Sequence, residues 1–274
     1  MTTMKKYNKF LLSFALALSL ASCEKDIPMD YHVVNSLYVA EGTTTQKGTQ
    51  VQVSTTQNVT ENSRSGHYVE NAKVVITVKK YDYSEELKYT RNGIYTSTLK
   101  GEPGLTYDLD IYVDDKHFSS SSTMQEEPVM NSFRFVWKKV LNTRYLFGEL
   151  KIQDTPDQNS YYFAHIYRNN VGYRWAVIKD EHNRNGELLQ LFQCCSEKDM
   201  DKGDSEALSD GDNIRLELRS IDKLSYDYLY SMQVMDNAGT NPIANFTGGC
   251  LGYFSACHVL NYNYKFIRSE VVEE

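Results

Sequence analysis

LTYDLDIYV, residues 105–113, is the stretch that most clearly indicates the fold. Apolar and polar side chains alternate along it, as is typical of a strand with one buried face. The predicted buried face carries Leu105, Tyr107, Leu109, Ile111 and Val113. The opposite face carries Thr106, Asp108, Asp110 and Tyr112. The stretch therefore predicts a strand that covers a hydrophobic core on one side only.

Short strands and turns of the same kind lie on both sides of this stretch. AKVVITVKK at 72–80 alternates in the same way, and GIYTSTL follows an Asn-Gly turn at 92–93. Further turns are indicated by GEPG at 101–104 and by Asp114-Asp115-Lys116. Short strands separated by regular turns predict a β-sandwich domain over residues 31–127.

A second β-rich domain is predicted over residues 128–274, beginning at Pro128. Its strands are longer and more aromatic, as in SFRFVWKKV and YYFAHIYRN, and IRLELRSI places apolar residues from Ile214 onward on one side. A single helix is predicted from a cap at Asp222 to about Met235. Its predicted apolar face carries Leu224, Tyr228, Met232 and Met235. The predicted fold class is therefore all-β with one short helix.

Residues 1–22 are typical of a lipoprotein signal peptide. Three lysines precede an apolar run of about a dozen residues, whereas a transmembrane helix needs roughly 20. Leu20-Ala21-Ser22-Cys23 resembles the lipobox, in which the cysteine thiol receives a diacylglycerol before cleavage. We expect Cys23 to be the first residue of the mature protein and its lipid anchor, with residues 23–30 as a tether.

The composition indicates an acidic protein. Removal of residues 1–22 takes away three lysines and no acid, so the formal charge moves from −7 to −10. An acidic protein repels nucleic acid, which is therefore not an expected partner.

Four further cysteines are candidates for disulfide bonding: Cys194, Cys195, Cys250 and Cys257. The compartment beyond the inner membrane permits disulfides, and adjacent cysteines rarely bond to each other. We therefore expect a link between the first pair and the second, although the sequence does not choose among the pairings. A zinc site is the alternative, but only His258 lies close to these cysteines in sequence.

The acidic segment 196–213 is expected to be a solvated loop. Calcium binding by Asp199, Asp201 and Asp204 is the alternative, since Ca²⁺ prefers carboxylate oxygens, but the spacing departs from the EF-hand pattern. The sequence contains neither an HExxH zinc motif nor a Gly-x-Ser-x-Gly elbow. We expect a protein that is not an enzyme and uses no cofactor.

Two aromatic strands suggest either a core or a binding surface. Tyr161, Phe163, His165 and Tyr167 share one parity, as do Tyr173, Trp175 and Val177. Alternating aromatic residues usually fill a β core. Exposed Tyr and Trp side chains instead stack on sugars or peptides and anchor protein interfaces.

A glycine-rich motif near the C-terminus resembles domain-of-unknown-function family 4249 of Bacteroidetes lipoproteins. The matching residues in NPIANFTGGCLGYFSACH, residues 241–258, are Asn245, Gly248, Gly249, Leu251, Gly252, Tyr253 and Phe254. The AKVVITVKK strand, GDNIRLEL and the Asp-Tyr-Leu helix agree with the same family. Independently of the family, three glycines in five residues predict a tight turn or a close backbone approach.

The resemblance implies an outer-membrane lipoprotein, often encoded beside a TonB-dependent transporter, with an N-terminal immunoglobulin-like or transthyretin-like sandwich. It implies no known activity. We expect a non-enzymatic accessory or ligand-capturing partner of such a transporter, facing the cell surface, with the periplasmic face as the alternative. A structural or adhesive surface protein and, third, a hydrolase with an unrecognised site are the competing hypotheses.

Overall fold

A computed structural model describes residues 35–57, 67–153, 159–180, 186–238 and 242–273. The chain divides into residues 1–35 and one compact unit, Ser36–Glu274. The predicted signal peptide, Cys23 and the tether lie outside the described residues. Among the helices that are described, none is long and apolar enough to cross a membrane.

Most of the described chain is β-strand. In the first half the strands are β1 Tyr38–Thr45, β2 Gly48–Thr55, β3 His67–Tyr68, β4 Lys73–Val78, β5 Tyr83–Glu86, β6 Lys88–Arg91, β7 Ile94–Ser97, β8 Thr106–Val113 and β9 Lys116–Thr123. In the second half they are β10 Val129–Val140, β11 Thr143–Gln153, β12 Tyr161–Arg168, β13 Val171–Lys179, β14 Glu187–Ser196, β15 Asn213–Ile221, β16 Leu251–Ala256, β17 His258–Lys265 and β18 Val272–Glu273. The α-helices are α1 Glu197–Asp201 and α2 Lys223–Ala238, and 3₁₀ turns cover Lys79–Tyr81 and Arg268–Glu270.

These strands form four sheets. Sheet A has the order β16-β1-β2-β7-β6, with β3 paired to β2, and sheet B has the order β5-β4-β8-β9. Sheet C has the order β14-β11-β10-β18, and sheet D has the order β13-β12-β15-β17. The predicted all-β fold class is confirmed, and α1 is a single extra turn within the predicted acidic loop.

The quoted stretch forms β8 and shows the predicted alternation. Tyr107, Leu109, Ile111 and Val113 are buried, whereas Tyr112 points away from the core and is exposed. The buried side chains pack against those of sheet A, including Val51 of β2, in one hydrophobic cluster. Sheets A and B therefore form a sandwich, as the alternation predicts.

Sheets C and D enclose a second core. Its members come from both sheets, such as Leu146 and Leu150 of β11 and Ile166, Leu216 and Leu218 of sheet D. The two cores lie on either side of the predicted boundary at Pro128, except that Phe246, Cys250, Phe254 and Ala256 join the first core. The assignment of residues 31–127 and 128–274 to separate domains stays a prediction.

The helix begins where the sequence predicts it. The Asp222 carboxylate accepts a hydrogen bond from the Ser225 backbone N–H at 2.9 Å, as an N-cap does. The predicted apolar face is wrong in part, because Leu224 is 52% exposed and Leu229 is buried instead. The face of the helix that packs on sheet D is therefore rotated about the helix axis relative to the apolar face predicted from the sequence.

Strand β16 connects the two sandwiches. It pairs in parallel with β1, placing Gly252 opposite Ala40, and the chain then passes through Cys257 into β17 of sheet D. The Cys257 N–H donates to the Thr44 carbonyl at 2.9 Å, which continues the pairing to the crossing point. A strand from the end of the chain thus completes the first sheet.

Gly252→Ala should lower the free energy of unfolding by about 3 kcal/mol or more. Its φ is +95°, and an added Cβ would lie 2.0 Å from the carbonyl oxygen of Ala40. Gly249→Ala is the matched control, because its φ is +84° but its added Cβ would meet nothing within 4 Å. The free energy of unfolding of the control should fall by only about 1–2 kcal/mol, which is the cost of a positive φ in a residue that has a Cβ. Urea unfolding measures both, and equal losses would contradict the close approach of β16 to β1.

Candidate functional site

The register of sheet D aligns side chains in rows that cross all four strands. One row pairs Trp175 with His165, His165 with Glu217, and Glu217 with Asn261. The next row on the same face contains Gly172, Tyr167, Arg215 and Asn263. These eight residues are called the open face below.

Helix α2 covers the neighbouring row of the same side of the sheet. Phe163 and Val177 of that row are buried in a cluster with Leu229 of the helix. The Gln233 side chain accepts a hydrogen bond from the Val177 backbone N–H at 3.0 Å, which attaches the helix to the edge strand β13. The helix therefore marks the border of the open face.

Aromatic rings make up the centre of the open face. His165 and Tyr167 stack with their centroids 4.0 Å apart, and Trp175 lies 6.0 Å from Phe163. A Cβ on Gly172 would lie 3.0 Å from His165 Nε2, so glycine at this position leaves room for the imidazole ring. Trp175 remains 38% exposed. The rings form a flat surface that is supported by the sheet on one side and faces solvent on the other.

A ladder of charged side chains from β15 runs beside these rings. The Arg215 guanidinium lies 3.7 Å from the Tyr167 ring centroid, as in a cation–π contact. Glu217 accepts from Arg215 at 3.0 Å and from Arg219 at 2.8 Å, and Arg215 also donates to Asn261 at 2.8 Å. These bonds hold each guanidinium in a fixed position on the sheet.

Burial lowers the pKa of His165 below its ordinary value of 6.5. The Glu217 carboxylate acts in the opposite direction, whereas Arg219 and Arg215 lower the pKa further. The imidazole is therefore neutral at pH 7, and the ladder carries two positive charges and one negative charge.

The two interpretations of the aromatic strands each hold for part of the sheet. Phe163 fills a core beneath α2, whereas His165, Tyr167 and Trp175 belong to the open face. The predicted shared parity of Tyr173 with Trp175 is wrong. A β-bulge leaves Tyr173 without a partner on β12, and its ring packs against the core between sheets C and D.

Sequence reasoning missed the polar members of the open face. Arg215 and Glu217, followed by Arg219 of the covered row, occupy the alternate positions of IRLELRSI, opposite the apolar residues that predicted the strand. Asn261 and Asn263 alternate in the same way in β17. The sequence did contain a signal for these residues. Polar and charged side chains recur at every second position of strands whose other positions are apolar.

The predicted disulfide is not formed, because all four candidate cysteines are free and buried. Cys194 and Cys195 belong to the core between sheets C and D, Cys250 to the core between sheets A and B, and Cys257 to the cluster under α2. A bulge in β14 at Cys194 explains why two adjacent side chains enter the same core. Burial raises the pKa of the Cys194 and Cys250 thiols to about 12.

The acidic segment uses its carboxylates within the fold. Asp199 forms a capping box with Ser196 at the start of α1, Asp201 pairs with Arg268, and Asp204 accepts from the Glu206 N–H. Over the described ranges, no three His, Cys, Asp or Glu side chains form a group that could hold a metal ion.

The family-motif residues build the junction around β16. The Asn245 side-chain oxygen accepts from the Phe254 N–H at 2.9 Å and from the Ser120 hydroxyl at 2.7 Å. Phe254 is fully buried in the first core, Tyr253 stacks on Tyr228 of α2, and Leu251 is exposed. Gly248 and Gly249 have positive φ in the turn before the strand. The motif therefore positions α2 and sheet D and does not itself line the open face.

The lowered pKa of His165 predicts a pH-dependent contribution to stability. The unfolded chain has a histidine of ordinary pKa, so below pH 6.5 it takes up a proton that folded His165 resists. The free energy of unfolding should therefore fall as the pH falls from about 7.5 to about 5.5, and it should fall less in His165→Gln. Urea unfolding at the two pH values tests this. The same pH dependence in both proteins would contradict the burial of the ring.

Comparison with known proteins agrees with the motif. The sequence profile of a family described as a domain of unknown function (DUF4249) matches residues 24–263. No curated protein gives a significant match to the chain. The matched span includes the first sandwich, the second sandwich as far as residue 263 in β17, the open face and the glycine-rich motif. The resemblance predicted from the sequence is confirmed, and the chain belongs to the DUF4249 family.

Proposed function

We propose that this protein is a lipid-anchored lipoprotein of the outer membrane that faces the cell surface and captures a ligand without catalysis. In this proposal it is an accessory partner of a TonB-dependent transporter, and the open face of sheet D is the surface that binds the ligand.

The open face is the observation that carries the proposal. Its aromatic and guanidinium groups are already fixed by stacking on Tyr167 and by the Glu217 carboxylate. Ordering side chains on binding costs about 0.5–1.5 kcal/mol for each flexible residue, so groups held in advance favour binding. A core fills the opposite side of the same sheet, which gives the face a rigid support.

The lipobox supports the membrane location. A thioether-linked diacylglycerol on Cys23, together with acylation of its amino group, would give a stable anchor. Asn35 lies twelve positions after Cys23, and such a segment spans at most about 40 Å. The binding face would therefore stay close to a transporter in the same membrane, which raises its effective concentration there.

A structural or adhesive role is the second candidate. The shared strand β16 connects two sandwiches within one compact unit, and such a unit would also serve as a stiff spacer on the cell surface. The two candidates differ in partner, because only the first requires a transporter.

Purification of the tagged protein from gently solubilised outer membranes tests the proposal. We expect a TonB-dependent barrel to co-purify in stoichiometric amount. Cys23→Ser should move the protein out of the membrane fraction, whereas Ser22→Ala, which keeps a small residue before the cysteine, should leave it anchored. Recovery of the anchored protein without a barrel would contradict the transporter partnership and favour the structural role.

A further inference from the structure

The open face combines three chemical features that point to one class of ligand. It has an exposed indole at Trp175, planar polar side chains along two rows, and an excess of positive charge, because Arg215 and the exposed Lys265 at the end of β17 stand against the single, nearly buried carboxylate of Glu217. Because the whole chain is acidic, with a formal charge of −7, this local excess is not a consequence of composition. We infer that the open face binds an acidic saccharide, a sugar that carries a carboxylate. This inference rests on the proposed capture function and names its ligand class.

The indole provides the stacking surface. Trp175 lies on the edge strand β13 and packs against Phe163 with an interplanar angle of 38°. It remains 38% exposed. The C–H groups on one side of a pyranose ring are apolar and pack against the negative face of an aromatic ring. Residue 172, next to it on the sheet, is glycine, so no side chain blocks an approaching ring.

The amides and the guanidinium provide the polar contacts. Asn261 and Asn263 are exposed on the outermost strand of the sheet, opposite Glu217 and Arg215. A side-chain amide offers both a donor and an acceptor, and neighbouring sugar hydroxyls require both. Arg215 donates to Glu217 and Asn261 through Nη1. Among the described residues, its Nε and Nη2 donate no hydrogen bond, which leaves them available for a carboxylate.

The charge selects the acidic form of the sugar. Glu217 is nearly buried and is already bonded by both arginines, so it does not repel an approaching anion as a free carboxylate would. Lys265 lies at the end of β17 on the same side of the sheet, opposite Asn213, and adds a further positive charge.

A peptide is a less suitable ligand for this surface. A peptide that added a strand to sheet D at β13 would need free backbone groups along that edge. The Val177 N–H is already bonded by Gln233 of α2, so the edge is blocked next to the face. The exposed groups are polar and planar and do not form an apolar groove that would suit a helix.

Affinity electrophoresis of the native, detergent-solubilised lipoprotein tests the inference. The gels contain polygalacturonate, alginate or hyaluronate, each compared with its carboxyl-reduced form. We expect at least one uronate polymer to retard the protein, its reduced form to bind at least tenfold more weakly, and added salt to weaken the binding. Binding should change the tryptophan fluorescence through Trp175, because the other tryptophan, Trp137, is only 3% exposed.

Variants connect the binding to the face. Trp175→Ala and Arg215→Gln should each weaken retardation at least tenfold, and Arg215→Lys should fall between Arg215→Gln and the unchanged protein because it keeps the charge but loses the planar fork. Tyr83→Ala and Arg91→Gln are matched controls, since both residues are exposed on the first sandwich. They should bind as the unchanged protein does. Melting curves separate loss of binding from loss of folding, and the exposed position of Trp175 keeps that variant informative.

Three results would overturn the inference. The first is that none of the uronate polymers retards the protein, and the second is that the reduced polymers bind as well as the acidic ones. The third is that Trp175→Ala and Arg215→Gln leave saccharide binding intact but abolish co-purification of the transporter, which would make the face a protein interface. A barrel that co-purifies without any saccharide binding would leave the proposed partnership standing and remove only the saccharide.

Discussion

The parallel pairing of β16 with β1 is the constraint on which the rest of the molecule depends. It requires glycine at position 252, because any Cβ there would occupy the space of the Ala40 carbonyl oxygen. Once β16 is in place, the Ala256 N–H donates to the Ser122 hydroxyl, which in turn donates to the Asp222 carboxylate at the start of α2. One strand thus connects sheet A, the edge of sheet B and the cap of the helix.

The open face follows from this connection. The chain returns from β15 to β16 by way of α2, which packs on the outer side of sheet D. The helix covers the row that contains Phe163 and Val177, and it leaves the rows of His165 and Tyr167 open to solvent. Strand β15 then has two roles, since Leu216 and Leu218 fill a core while Arg215 and Glu217 point to the other side. The family motif shapes the site from a distance by placing this strand and helix.

Local patterns in the sequence predicted the local structure well. The alternation in residues 105–113, the Asn-Gly turn before β7 and the Asp222 cap each depend on neighbouring residues, and each is present in the structure. A bulge in β13 defeated the counting of alternate positions from Tyr173 to Val177, because one extra residue reverses every side chain beyond it. The disulfide prediction was wrong because spacing alone does not show that the four cysteines belong to three different clusters. The pairing of β1 with β16 joins residues about 210 positions apart, which no local pattern reveals.

Hydrogen exchange of the intact protein, followed by mass spectrometry, tests the pairing of β16 with β1 most directly. If β16 covers β1, peptides from 38–45 and 251–256 should be protected to a similar extent and should lose protection together as denaturant is added. In Gly252→Ala, both peptides should exchange faster while those from β8 stay protected. If β1 instead exchanges as an uncovered edge strand in the unaltered protein, with alternate amides open to solvent, the shared strand and the placement of α2 that depends on it would both be contradicted.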